Sequence, residues 1–133
     1  MDTDPISTLL DSIAAGAGIP AQLYAPGAVL DAVVPMWRLE AHGPAAIAAQ
    51  LSGWYADPGA FTDVVRTPLP NGELLRYTLE WAENGAPWAS HQVHVVAITD
   101  GLIVRHEVWC GGRWDASVQA EIEAGLLTAR EAS

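Results

Sequence analysis

The sequence predicts an α+β domain built on a curved, mostly antiparallel sheet. Three observations carry that expectation. Residues 5–15 and 44–55 repeat apolar side chains at helical spacing. Residues 73–110 read as three long strands joined by tight turns. On the first of those strands Leu75, Tyr77, Leu79 and Trp81 alternate with Arg76, Thr78 and Glu80, so one face is apolar and the other polar.

The elements follow in order. Asp4 before Pro5 is a helix start, an N-cap with proline in the first turn, and Ile6, Leu9, Leu10 and Ile13 supply the buried stripe until Gly16 and Gly18 end it. Ala21 to Tyr24 forms a helical turn, and Ala28 to Val34 a strand stopped by Pro35. A second helix opens at Gly43-Pro44, with Ile47, Leu51, Trp54 and Tyr55 on one side, and closes at Asp57-Pro58-Gly59. A strand runs from Phe61 to Thr67, and Pro68 to Gly72 reads as a loop.

The meander is Leu74 to Glu83, Pro87 to Ile98 and Leu102 to Cys110. A two-residue turn at Asn84-Gly85 sets Trp81 opposite Trp88, Leu79 opposite Ser90 and Tyr77 opposite Gln92, which carries Ser90, Gln92 and His94 to the inner face. The next turn is ambiguous. A three-residue loop, Thr99-Asp100-Gly101, pairs Ile98 with Leu102, Val96 with Val104 and His94 with His106, matching apolar with apolar; a two-residue Asp100-Gly101 turn would instead bring Arg105 and Glu107 inside. The three-residue loop is preferred. Beyond Gly111-Gly112, residues 115–133 form a C-terminal helix or tail carrying Val118, Ile122 and Leu126 at four-residue spacing.

With 133 residues the chain is one domain, 1–133, large enough for a real core. Half its residues are hydrophobic and 17% charged, yet its net charge is -10, which argues against disorder and against a nucleic-acid partner. Its apolar runs are too short for a transmembrane helix and its first residues are acidic, so the expectation is a cytoplasmic protein with no membrane partner. A lone cysteine, Cys110, can form neither an internal disulfide nor a multi-thiolate zinc site. Six tryptophans are expected to serve core and interface packing.

The order of elements resembles the SnoaL-like, nuclear-transport-factor-two-like superfamily that includes ketosteroid isomerase. The resemblance covers Ile6 to about Trp114 and rests on Leu23-Tyr24-Ala25-Pro26-Gly27-Ala28-Val29-Leu30-Asp31, on Gly43-Pro44-Ala45-Ala46-Ile47, and on Asp100-Gly101-Leu102-Ile103-Val104-Arg105-His106-Glu107-Val108-Trp109. It implies a cone whose helices pack over the concave face and roof an apolar cavity, with frequent homodimers through the outer face. It names no single activity. Carried over by residue, the isomerase pattern places its general base at Ala32 and its helix-borne tyrosine near Leu9 or Leu10, so both are missing, while His94 stands at the position of one oxyanion-site acid.

His94 and His106 are therefore the candidate acid/base residues, because imidazole titrates near neutral pH. Tyr77, Ser90 and Gln92 are placed to orient a ligand's polar group. Leu79, Trp81, Trp88, Val96 and Val108 supply an apolar wall, and Trp37 and Trp54 the pocket mouth. His91 and His94, three apart on a strand, point to opposite faces and make no metal pair; no metal or other cofactor is expected. The outward face carries Ala89, Val93, Val95, Ala97, Ile103 and Trp109, which a homodimer would cover. The function expected is binding of an apolar or aromatic small molecule, extending to cofactor-free isomerase, dehydratase or cyclase chemistry. The alternative is a non-catalytic ligand-binding or dimerisation module.

Overall fold

The computed structural model describes residues 4–132. Asp4 caps α1 (Pro5–Ala15) by accepting the amide hydrogen of Ile6 at 3.0 Å, and Gly16 ends the helix in the left-handed conformation. A 3₁₀ turn at Ala21–Leu23 leads into β1 (Tyr24–Val34), then β2 (Trp37–His42), α2 (Pro44–Trp54), β3 (Gly59–Leu69), β4 (Gly72–Glu83), β5 (Ala86–Thr99), β6 (Leu102–Cys110), the two-residue β7 (Trp114–Asp115) and α3 (Ala116–Ala132). The sheet is mixed, ordered β2-β1-β6-β5-β4-β3, with β7 beside the start of β5. Among the described residues only β1 and β6 run parallel within it.

The core lies between the inner sheet face and two helices. Ile6, Leu9, Leu10 and Ile13 of α1 and Ile47 and Leu51 of α2 meet Leu30, Ala32, Leu75, Tyr77, Leu79, Val96, Ile103 and Val108 of the strands. The amphipathic spacing read from the sequence is what brings these faces together. By contrast α3 buries no side chain and packs chiefly beside β5 and β7.

Several expectations are corrected. Residues 37–42 form β2, where no strand was expected. Pro68 and Leu69 continue β3 instead of starting a loop, pairing with Glu73 and Gly72; β3 is an edge strand, where a proline forfeits no interior ladder bond.

The turn after β5 is also the one not preferred. Thr99 pairs with Leu102 around a two-residue Asp100-Gly101 turn, with both central residues at positive φ. Arg105 and Glu107 nevertheless stay outside. The pairing runs from Ile98–Ile103 directly to Ala97–Arg105, leaving Val104 as the extra residue of a β-bulge. His94 thus stands opposite Val108, and Val96 opposite His106, instead of each other's expected partners. Before the bulge the facing is reversed, so Ile103 is fully buried in the core and does not belong to the outer face. Ala89 also leaves that face, because Trp114 pairs beside it and it is buried. Finally, no tryptophan among the described residues reaches the fully buried core: Trp37 is 68%, Trp109 44% and Trp54 37% exposed.

Candidate functional site

A pocket of about 400 Å³ opens between the α2 end, the β1–β2 turn and the strands β4, β5 and β6. Its walls are mainly apolar, from Val34, Pro35, Trp54, Leu79, Trp81 and Val108. Asp57, Glu83 and Arg113 also line it, and its polar lining includes Tyr55, Ser90, Gln92, Cys110 and Gly112. Helix α2 sets Tyr55 there as the residue that caps its last turn, Tyr55 N donating to the carbonyl of Leu51 at 2.9 Å.

Of the residues expected at the site, Trp54, Leu79, Trp81, Ser90, Gln92 and Val108 line the pocket. Tyr77, His94, His106 and Val96 lie behind its wall in the buried interior. Trp88 sits outside the lining, under the Arg113 guanidinium, and Trp37 projects from β2. His91 faces away from His94, its Nδ1 2.8 Å from Thr78 Oγ1. Ala32 and Leu9 are plain core residues, and Asp31 faces outward, where Arg38 holds it in a bidentate ion pair at 3.0 and 2.8 Å.

Behind the pocket the polar groups form a continuous chain. Tyr24 Oη is 2.8 Å from His106 Nδ1, His106 Nε2 is 2.7 Å from His94 Nδ1, and His94 Nε2 is 2.8 Å from Tyr77 Oη. Tyr77 and Tyr55 both donate to Gln92 Oε1, at 2.7 and 2.5 Å, and their hydroxyl oxygens are 3.4 Å apart. Gln92 Nε2 donates to Ser90 Oγ at 3.0 Å, and Ser90 Oγ lies 3.3 Å from Cys110 Sγ.

The chemistry of the groups assigns a direction to this chain. An amide oxygen only accepts, so Tyr77 spends its proton on Gln92 and receives one from His94 Nε2; His94 Nδ1 must then accept from His106 Nε2, and His106 Nδ1 from the Tyr24 hydroxyl. Each ring carries one proton and every buried polar side-chain atom among the described residues is satisfied.

Both imidazoles are held neutral. Burial, and then the neighbouring His106, drive His94 well below its ordinary value, while burial pushes His106 down to about 3. Burial likewise raises the hydroxyls of Tyr24, Tyr55 and Tyr77, which stay protonated donors. The chain is thus a neutral hydrogen-bonded path from Tyr55 at the pocket to Tyr24 in the interior.

Sequence reasoning missed Tyr24, Tyr55 and Cys110. The available signal was the demand for donors: two buried neutral histidines and a glutamine leave acceptors that only buried hydroxyls can fill. No group of three or more potential metal-ligating side chains occurs among the described residues. No described helix is long and apolar enough to cross a membrane.

At the level of sequence, no protein-family profile and no curated protein matches the chain. Solved structures do. A candidate polyketide cyclase of Pseudomonas putida KT2440 superposes with a TM-score of 0.62 at 16% identity, over 91% of this chain and 96% of that one. A second candidate polyketide cyclase, from Xanthomonas campestris pv. campestris, gives 0.60 at 15%, over 79% and 86%. An NTF2-like protein of unknown function from Burkholderia xenovorans LB400 gives 0.58 at 19%, over 84% of each chain. At these identities the likeness is one of fold: an open sheet with helices over one face, the cone also seen in the NTF2-like protein.

Proposed function

We propose that the protein binds an apolar or aromatic small molecule bearing one polar group. The observation that carries this reading is the convergence of apolar walls on a buried Ser90–Gln92–Tyr55 floor. A cavity of a few hundred Å³ with a few fixed polar groups is the usual form of a small-molecule site. A thermal-shift panel of steroid, terpenoid and aromatic polyketide compounds tests it, since a ligand that binds only the folded state raises its stability. Stabilisation that Trp54→Ala weakens supports the reading; no shift with any compound refutes it.

A second reading, cofactor-free acid/base catalysis of the isomerase, dehydratase or cyclase type, is favoured by the chain behind the floor. Tyr55, whose hydroxyl donates to Gln92 Oε1 in the free pocket, would turn that proton to a ligand's developing oxyanion and take it back as the product forms. His94 and His106 would hold Tyr77 and Gln92 in place beside it, as positioning residues that do not touch the ligand. The candidate polyketide cyclases among the structural neighbours make cyclisation the reaction to assay first. On this reading His94→Gln keeps ligand binding and loses turnover.

We also propose that the protein is a cytoplasmic homodimer. On the outer face Val33 pairs with Trp109, and Trp109 with Val93, a strip that includes side chains 36% and 44% exposed at Val33 and Trp109. Sedimentation should give a dimer, and Trp109→Glu a monomer.

A further inference from the structure

Resting on the reading of this pocket as a ligand site, we infer that its ligand is an organic cation: an amine or similar group on an apolar or aromatic body, with the charge at the pocket mouth. Three charged side chains line the pocket, Asp57, Glu83 and Arg113, leaving a net charge of one negative unit. Arg113 is already engaged. It is ion-paired with Glu83, and its guanidinium lies 5.0 Å from the Trp88 ring centroid and 5.7 Å from that of Trp81. That corner therefore holds a cation against indole faces and a carboxylate, an arrangement in which aromatic quadrupole and charge act together.

Asp57 is different. It has no hydrogen-bond or ion-pair partner among the described residues. Trp54 shares the same lining and supplies another indole. A bound anion would have to compete with Glu83 for Arg113 while facing Asp57. A neutral body leaves the Asp57 charge, exposed at the pocket mouth, without a counter-charge. A cation gives Asp57 its partner and draws on the field of a chain with a net charge of -10.

Three indole compounds that differ in the charge of one side chain test this: tryptamine, tryptophol and indole-3-propionate, titrated calorimetrically at pH 7 and low salt. Tryptamine is expected to bind about tenfold more tightly than tryptophol, the combined size of one exposed cation–π contact and one exposed ion pair. Indole-3-propionate should bind most weakly, and added salt should shrink the preference. Asp57→Asn, and independently Glu83→Gln, should lower tryptamine affinity by a clearly larger factor than tryptophol affinity. Tryptophol binding as well as tryptamine, or propionate binding best, overturns the charge inference while leaving the pocket reading intact. So does silence from all three beside a neutral compound that stabilises the protein in the thermal-shift panel. Silence from all three and from the whole panel overturns both.

Discussion

His94 and His106 meet in the core with Nδ1 of the first 2.7 Å from Nε2 of the second, although neither stands opposite the other in the β5–β6 ladder. The contact is diagonal, between rungs, and it closes a hydrogen-bonded chain in which neither ring can gain a proton without a charge appearing in a dry interior.

Stability should therefore fall with acid well before the carboxylates titrate. In the unfolded chain both rings bind protons below about pH 6.5; in the fold both are depressed, His106 to about 3. The unfolded state binds more protons throughout that window, so the stabilising contribution is complete above about pH 6.5 and is lost as pH falls toward the folded values. The slope approaches about 1.4 kcal/mol per pH unit for each histidine. Urea midpoints measured from pH 7.5 to 4.5 should decline steadily, and a His94→Gln/His106→Gln variant should decline less. A wild-type midpoint flat across this range would mean that neither ring is held neutral in the fold.

Tyr24→Phe should cost about 1–3 kcal/mol, because it keeps the ring and leaves the buried Nδ1 acceptor of His106 without a donor. The urea midpoint should drop with an unchanged m-value. A loss below about 0.5 kcal/mol would mean that the donor direction assigned to the chain is wrong.

Gly16→Ala should destabilise by more than about 2 kcal/mol, since the left-handed conformation alone costs about 1–2 kcal/mol. Gly16 has φ +64, and an added Cβ would lie 2.2 Å from the backbone carbon of Asp57 and 2.4 Å from Pro58 N. The end of α1 is thereby locked to the loop that carries Asp57 to the pocket mouth, so any folded Gly16→Ala protein should also bind the pocket's ligand less tightly. Thermal denaturation and calorimetry read the two effects separately.

Ser90→Ala should weaken binding of a ligand's polar group by a factor of about three to ten, the scale of one neutral hydrogen bond, with little change in affinity for a purely apolar compound. Equal losses for both kinds of ligand would show that Ser90 acts only by packing.

What the sequence made legible were features with strong local chemistry. Asn84-Gly85 sets the register that brings Ser90 and Gln92 opposite Leu79 and Tyr77, and the helical stripes of α1 and α2 mark their buried faces. Strand β2 was missed although Trp37, Leu39 and Ala41 alternate with Arg38, Glu40 and His42, because its hairpin turns at Pro35-Met36 with Met36 at φ 61, a position methionine seldom occupies. The histidines were placed on the inner face and next to each other, but their depth was not legible. Whether an inward side chain lines a cavity or sits behind its wall depends on how the helices close over the sheet, and alternation along a strand carries no information about that distance.

The bulge at Val104 lets this hairpin exchange one turn type for another without turning His106 outward. Inside and outside on β6 follow a parity, the sum of turn residues and bulged residues between the last pair of one strand and the next. Two residues at Asp100-Gly101 plus one at Val104 give the same odd total as a three-residue turn with a straight ladder. Recruiting Thr99 into the turn and losing the bulge would therefore cancel, and at this chain length the buried face of His106 is fixed by the total, whichever device supplies it.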